Sequence, residues 1–299
     1  MSGFREKFQE KFEKGTSSIF DNYNKWMFVP VAIIVLSLAV IGTTYYNTGN
    51  IAELGIEFTG GTEIQFRVPG DVTTDMISEP LEGELENLNV REMSRGEQKW
   101  ILIETQTEIE TRSEIEQILV DAGIEDFDEI SVSMMGAAVS EGFLFEAQLA
   151  VLIAFLVMST AIFVAFRSFV PSIAVILSAF SIIMFAIAGM NVLGINLTLG
   201  SLAALLMLIG YSVDTDIVLS TRVLKQKEGT LKERIRDSIA TGTTMSAGGI
   251  VAFTILLIVS TSPVLDQIAT VMIMGLAIDM PITWLGNAAI LKMYDEGRI

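Results

Sequence analysis

Leu197-Thr198-Leu199-Gly200-Ser201-Leu202-Ala203-Ala204-Leu205-Leu206-Met207-Leu208-Ile209-Gly210-Tyr211-Ser212-Val213-Asp214-Thr215-Asp216-Ile217-Val218-Leu219 is an apolar run interrupted near its end by two carboxylates. Its length matches the roughly 20 residues needed to cross about 30 Å of hydrocarbon. An acid at that depth costs about 2.5–3.5 kcal/mol on insertion scales, so a span that keeps two of them points to ion or proton handling. Working outward, five further apolar runs have spanning length: Trp26–Tyr45, Phe145–Phe166, Val170–Met190, Ser238–Ser260 and Leu265–Leu291. With 51% hydrophobic residues and a mean hydropathy of +0.54, the chain reads as an integral membrane protein with six transmembrane helices.

The basic residues set an expected orientation, because cytoplasmic loops collect Lys and Arg. Arg5, Lys7, Lys11, Lys14 and Lys25 precede the first span; Arg222, Lys225, Lys227, Lys232, Arg234 and Arg236 follow the fourth; Lys292 and Arg298 lie in the tail. Both termini are therefore expected in the cytoplasm. The expected organisation is a cytoplasmic amphipathic segment over residues 1–25, a first helix over 26–45 and an extracytoplasmic domain over 46–141. A five-helix bundle over 142–293 and a cytoplasmic tail over 294–299 complete it. The first span reads as an uncleaved anchor, since no small-residue cleavage pattern follows it.

Between residues 46 and 140 there are 21 Asp and Glu against 5 Lys and Arg, a balance of −16 out of −17 for the whole chain. Such a surface suits concentrated salt, where the Debye length shrinks to about 3 Å at 1 M and self-repulsion is relieved. A surface that collects cations or basic ligands is the functional alternative. The chain has no cysteine, so the outer domain depends on its core rather than on disulfides.

Phe4, Phe8 and Phe12 recur at helical spacing among charged residues, which predicts an amphipathic helix on membrane lipid or on the protein itself. In the outer region, strands are expected at Thr62–Val68, Asn89–Met93, Trp100–Glu104 and Ile130–Met134, and helices at Thr73–Leu88 and Thr111–Ala122. This β-α-β-β-α-β order is that of a ferredoxin-like α+β sandwich. The region has no His, no Cys and no serine paired with a base, so a docking module is expected there and no enzyme activity, cofactor or metal site. Nothing points to nucleic acid. The glycine pair before the first strand reads as a positive-φ turn rather than an anion cradle, because no helix follows it.

Gly55-Ile56-Glu57-Phe58-Thr59-Gly60-Gly61-Thr62 is similar to the signature before the first outer strand of the SecF family. The stretch from Asn196 to Ser212, with its Gly210-Tyr211-Ser212 end, resembles that family's fourth span, and Thr241-Gly242-Thr243-Thr244 and Ser262-Pro263-Val264-Leu265 resemble two later stretches. The resemblance covers nearly the whole chain. It implies a six-span half of the resistance-nodulation-division architecture, a SecD partner, a SecYE-type Sec translocon and exported polypeptide chains as the working surroundings, and coupling to a proton or sodium gradient. Asp214 falls where SecD proteins carry an intramembrane aspartate, Thr215 where bacterial SecF chains carry theirs, and Asp216 where those chains have Thr. Arg236 matches an arginine linked to the family's proton path. Asp279 stands where bacterial relatives often have Gly, and the chain contains no histidine, departures that resemble an archaeal branch.

Asp214 and Asp216 lie about 200° apart around a helix, so one faces the bundle interior and the other a second helix or water. Asp214 is expected as the ion-responsive carboxylate and Arg236 as its charge partner, with Asp216 and Asp279 as secondary candidates. Pro281 frees backbone carbonyls near Asp279, and Asn287 is expected below that carboxylate on the same side. The alternatives are a passive scaffold for a translocase or insertase, with the carboxylates as interhelical glue, and a small-molecule exporter of the same superfamily.

Overall fold

The computed structural model describes residues 23–298 apart from 69–71, 83–84, 96–97, 108, 110–111, 122–127, 227 and 261. The helix expected around Phe4, Phe8 and Phe12 lies outside these residues. The chain divides into two units, Leu54–Ala150 and a second built from Met1–Glu53 with Val151–Ile299.

In the first unit, β1 (Gly61–Val68), α2 (Thr74–Leu81), β2 (Asn89–Arg95), β3 (Gln98–Thr105), α3 (Arg112–Asp121) and β4 (Asp128–Met135) follow one another. The α1 label is kept for the first span, which precedes them. The sheet order is β2-β3-β1-β4 with every pair antiparallel, which is the ferredoxin-like arrangement. Period-2 alternation turns Ile64, Phe66 and Val68 inward, where Ile101 and Ile103 of β3 and Ile77, Leu81 and Leu119 of the helices meet them. The helix expected over Thr73–Leu88 ends earlier, at Leu81. Pro80 has no N–H to continue the ladder, and Asn87 takes a positive φ of 51° before β2 begins.

The signature before β1 has a structural task. Ile56–Thr59 forms one helical turn, and Gly60 and Gly61 follow with φ of 79° and 122°. A Cβ on Gly61 would strike the Thr105 carbonyl oxygen, so backbone conformation and space both demand glycine there. Thr62, fully buried, donates to Thr107 O at 2.9 Å and accepts from Ile109 N at 3.1 Å, pinning the segment after β3.

On the opposite face of the sheet Glu63 stands directly across from Glu104. Arg91 holds Glu104 at 2.6 Å. Burial, reinforced by repulsion from Glu104 and Glu57 and opposed by Arg91, pushes the Glu63 carboxyl up to about 7. The folded domain therefore keeps a proton that the unfolded chain has released, and the stability this group contributes is lost as pH rises from about 4.5 through about 7. Glu63→Gln should raise the thermal resistance of the outer domain to protease in the intact chain at about pH 8, by an equivalent of about 1 kcal/mol after discounting for partial solvation, and leave it unchanged well below pH 4.5. Equal effects at both pH values would contradict this.

The second unit contains α1 (Phe28–Thr48), the membrane part of α4 (Ala137–Phe166), α5 (Phe169–Leu193), α6 (Leu199–Leu224), α7 (Leu231–Val259) and α8 (Pro263–Pro281). After α8 the helix continues as a π-helical segment, Ile282–Asn287, and then as α9 (Ala288–Asp295). Six stretches are long and apolar enough to cross a membrane, as expected, and the outer domain lies between the first and second in the chain. Of their spanning windows α5 is 61% buried, whereas α4 and α7 are each 11% buried, so α5, α6 and α8 make the interior. Thr198 starts α6 with a capping box that uses Ser201, and Thr230 starts α7 with one that uses Glu233. At the end of α6, Arg234 donates to Val223 O and Gln226 O at 2.6 Å, and Lys225 donates to Ala165 O at 3.0 Å, closing carbonyls that the helices leave open.

Candidate functional site

Two apolar clusters fill the bundle. One includes Ile182, Ile183, Leu205, Leu208, Val271, Met272 and Leu276, and the other Tyr23, Leu219, Val223, Ile235, Ile239, Trp284 and Leu291. The second lies toward the end of the bundle bearing the α6–α7 loop. Between them sits a polar layer centred on Asp216 and Asp279, both with no solvent exposure.

Asp216 comes from α6 and Asp279 from α8, and one hydroxyl joins them. Thr283 Oγ1 lies 3.0 Å from Asp216 Oδ1 and 3.3 Å from Asp279 Oδ1. Asn287 Nδ2 donates to Asp216 Oδ1 at 2.7 Å, and Thr215 Oγ1 reaches Asp279 Oδ2 at 3.1 Å. Thr215 also approaches Ser212 O at 2.8 Å. A hydroxyl carries one proton, so Thr283 serves one carboxylate at a time.

The π-helical segment makes this geometry. Pro281 cannot donate to the ladder, and further on Ala288 N–H reaches back five residues to Thr283 O. The widened turn presents Thr283 and Asn287 together toward α6. Around the pair, Ser178 lies beside Asp216, and Ser212 and Ser246 beside Asp279. Asn287 Oδ1 and the Ser220 hydroxyl are buried without a hydrogen-bond partner among the described residues. Neither carboxylate forms an ion pair with Lys or Arg among those residues.

This packing buries Asp216 and Asp279 and leaves Asp214 outside the layer. Asp214 is exposed on the outer side of α6, in a stripe with Met207, Gly210 and Tyr211, because the helix turns Ser212, Thr215, Asp216 and Leu219 inward. Arg236 does not meet Asp214: its Nε lies 3.5 Å from Asp237 Oδ1, and it lines an open pocket of about 400 Å³ with Arg222, Gln226, Glu228, Arg234 and Asp237. Asn287 binds Asp216 rather than Asp279. In the fourth-span motif, Tyr211 packs edge-on against Phe253 with centroids 6.4 Å apart, and Ser212 is fully buried. Thr283 and Ser178 were not among the expected residues. Their signal in the sequence is faint: single hydroxyls inside apolar helices ordinarily bond their own backbone.

Replacing Thr283 by Val should lower the stability of the detergent-solubilised chain by about 1–3 kcal/mol, because the one buried hydroxyl proton that the two carboxylates share is lost. Thr283→Ser should restore most of it, and Asp214→Asn should stay within about 0.5 kcal/mol. Equal losses for Thr283→Val and Asp214→Asn in thermal unfolding would contradict the layer described.

The profile of the family described as protein export membrane protein SecD/SecF, C-terminal, matches residues 114–297. The chain is 38% identical to the protein-export membrane protein SecF of Haloferax volcanii over 275 residues, covering 89% of this chain and 90% of that one. To SecF of Methanocaldococcus jannaschii it is 36% identical over 280 residues, covering 91% and 96%. Among solved structures it resembles SecDF from Thermus thermophilus, described as a translocon-associated membrane protein, with a TM-score of 0.75 and 19% identity. That match covers 92% of this chain and 38% of the SecDF chain, so the likeness is one of fold and this chain spans well under half of that protein.

Proposed function

This multi-pass membrane chain belongs to the SecD/SecF family of protein-export membrane proteins, and on that premise we propose that it works beside a SecD partner and a SecYE-type channel, using a proton or sodium gradient to help exported chains across. The Asp216–Asp279 pair is the ion-responsive centre. The observation that carries this reading is the complete burial of both carboxylates with no Lys or Arg paired to either among the described residues. As glue between helices, amides or hydroxyls would serve without the cost of two acids at this depth, about 2.5–3.5 kcal/mol each on insertion scales.

The mechanism follows from the shared donor. When a proton or a sodium ion reaches one carboxylate, Thr283 and Asn287 re-partner toward the other, and both sit on the π-helical segment. Ion arrival and departure thereby shift that segment against α6. The orientation of the basic residues supports cytoplasmic termini and an outer domain on the far side of the membrane, where its acidic surface suits a saline exterior.

Asp214 takes a different part. A carboxylate on the outward face of a membrane helix is costly against lipid, so the stripe Met207, Gly210, Tyr211 and Asp214 is the natural seat for the SecD partner.

In cells, Asp216→Asn should cut protein export about tenfold or more at normal membrane level and normal SecD association. Asp214→Leu should instead lower SecD recovery on co-purification. Export unchanged by Asp216→Asn would overturn the coupling role, and SecD recovery unchanged by Asp214→Leu would overturn the docking role.

A further inference from the structure

The polar layer is closed on both sides by a large apolar side chain seated on a glycine of a neighbouring helix. Toward the end of the bundle away from the α6–α7 loop, Leu208 of α6 occupies the space above Gly275 of α8, and a Cβ there would strike Leu208 carbons. Leu208 is fully buried, about 12 Å of helix rise from Asp216, and Gly275 is one turn before Asp279. Toward the loop end, the Trp284 indole lies on Gly242 of α7, and a Cβ there would meet its ring carbons. Gly242 also faces Thr215, with 3.6 Å between its notional Cβ and Thr215 Cγ2, so the ring covers the layer itself. Trp284 belongs to the apolar cluster of the loop end, and its Nε1 is buried without a partner among the described residues.

We propose that these two contacts are the seals of an ion compartment: ions reach Asp216 and Asp279 from the loop side only when Trp284 leaves Gly242, and from the opposite side only when Leu208 leaves Gly275. The inference rests on the carboxylate pair being the ion-responsive centre and adds which residues govern access to it. Close-packed carbon leaves no room for a hydrated ion, and the glycines let large side chains sit at backbone distance. Trp284 also lies next to Thr283 in the chain, so a movement that re-partners the Thr283 hydroxyl displaces the ring as well. One seal is therefore tied to the carboxylates through the same π-helical segment.

The chain has no cysteine, so single introduced thiols report on a silent background. Ser178→Cys and Ser246→Cys place reporters in the layer, and Glu228→Cys marks the loop side. Silver ion, thiol-reactive and close in size to an alkali cation, is applied in chloride-free buffer to either side of sealed vesicles holding the full chain. Protected thiols are then counted with a maleimide after denaturation. With silver on the loop side the layer cysteines should react at least about tenfold more slowly than the loop cysteine, and with silver on the opposite side they should stay as protected as the loop cysteine itself. Trp284→Ala should speed them from the loop side alone, Leu208→Ala from the opposite side alone, and Trp284→Phe should leave the layer closed. Fast reaction without either seal variant, or seal variants that open both sides equally or neither, would overturn the proposal. Leu208→Ala tests its seal independently where Trp284→Ala fails to assemble. Sided opening with no loss of export in Asp216→Asn would sink the coupling role and leave the seals standing.

Discussion

Two carboxylates from different helices meet inside the membrane bundle with no basic side chain paired to them among the described residues, and the rest of the membrane unit is arranged around that fact. The donors that reach them among the described residues are neutral: Thr215, Thr283 and Asn287, with the hydroxyls of Ser178, Ser212 and Ser246 beside them. A buried Arg or Lys would have fixed the pair in one charged state, because a close opposite charge holds a carboxylate ionised. Neutral donors leave the charge of the pair free to change. The apolar clusters on either side keep water out and make that charge energetically large.

The break in the last span turns this electrostatic fact into geometry. An unbroken α-helix after Pro281 would carry Thr283 and Asn287 on a tighter turn, whereas the π-helical segment swings both toward α6. The same segment carries Trp284, which lies on Gly242 of α7. The carboxylate contacts, the helix register and the Trp284–Gly242 contact therefore share a few consecutive residues. In the outer unit, burial reinforced by the neighbouring carboxylates raises the Glu63 carboxyl to about 7.

Much of the fold was legible in the sequence because it rests on periodicity. Six apolar runs gave six spans, and alternation with turn residues at the joins gave the four strands in ferredoxin-like order. The shortened α2 shows the limit, since Pro80 outweighed a helical pattern that continued past it. At the site, the 200° between Asp214 and Asp216 showed that one must turn away, but which one depends on where α8 packs, and α6 alone does not encode that. Asp279 and Pro281 were visible as an unusual pair, whereas the π-helical turn was not, because no local propensity marks it. The acid expected to lead lies on the surface of the bundle, and one ranked behind it lies at the centre.

The central claim is that Asp216 and Asp279 act as one unit. A double-mutant cycle with Asp216→Asn, Asp279→Asn and both together, read as gradient-dependent export at matched membrane levels, tests it most directly. The account predicts that either single change removes most of the gradient dependence and that the double variant is no worse than the more severe single one. Losses that multiply, as for two independent sites, or a single variant that keeps full gradient dependence, would contradict it.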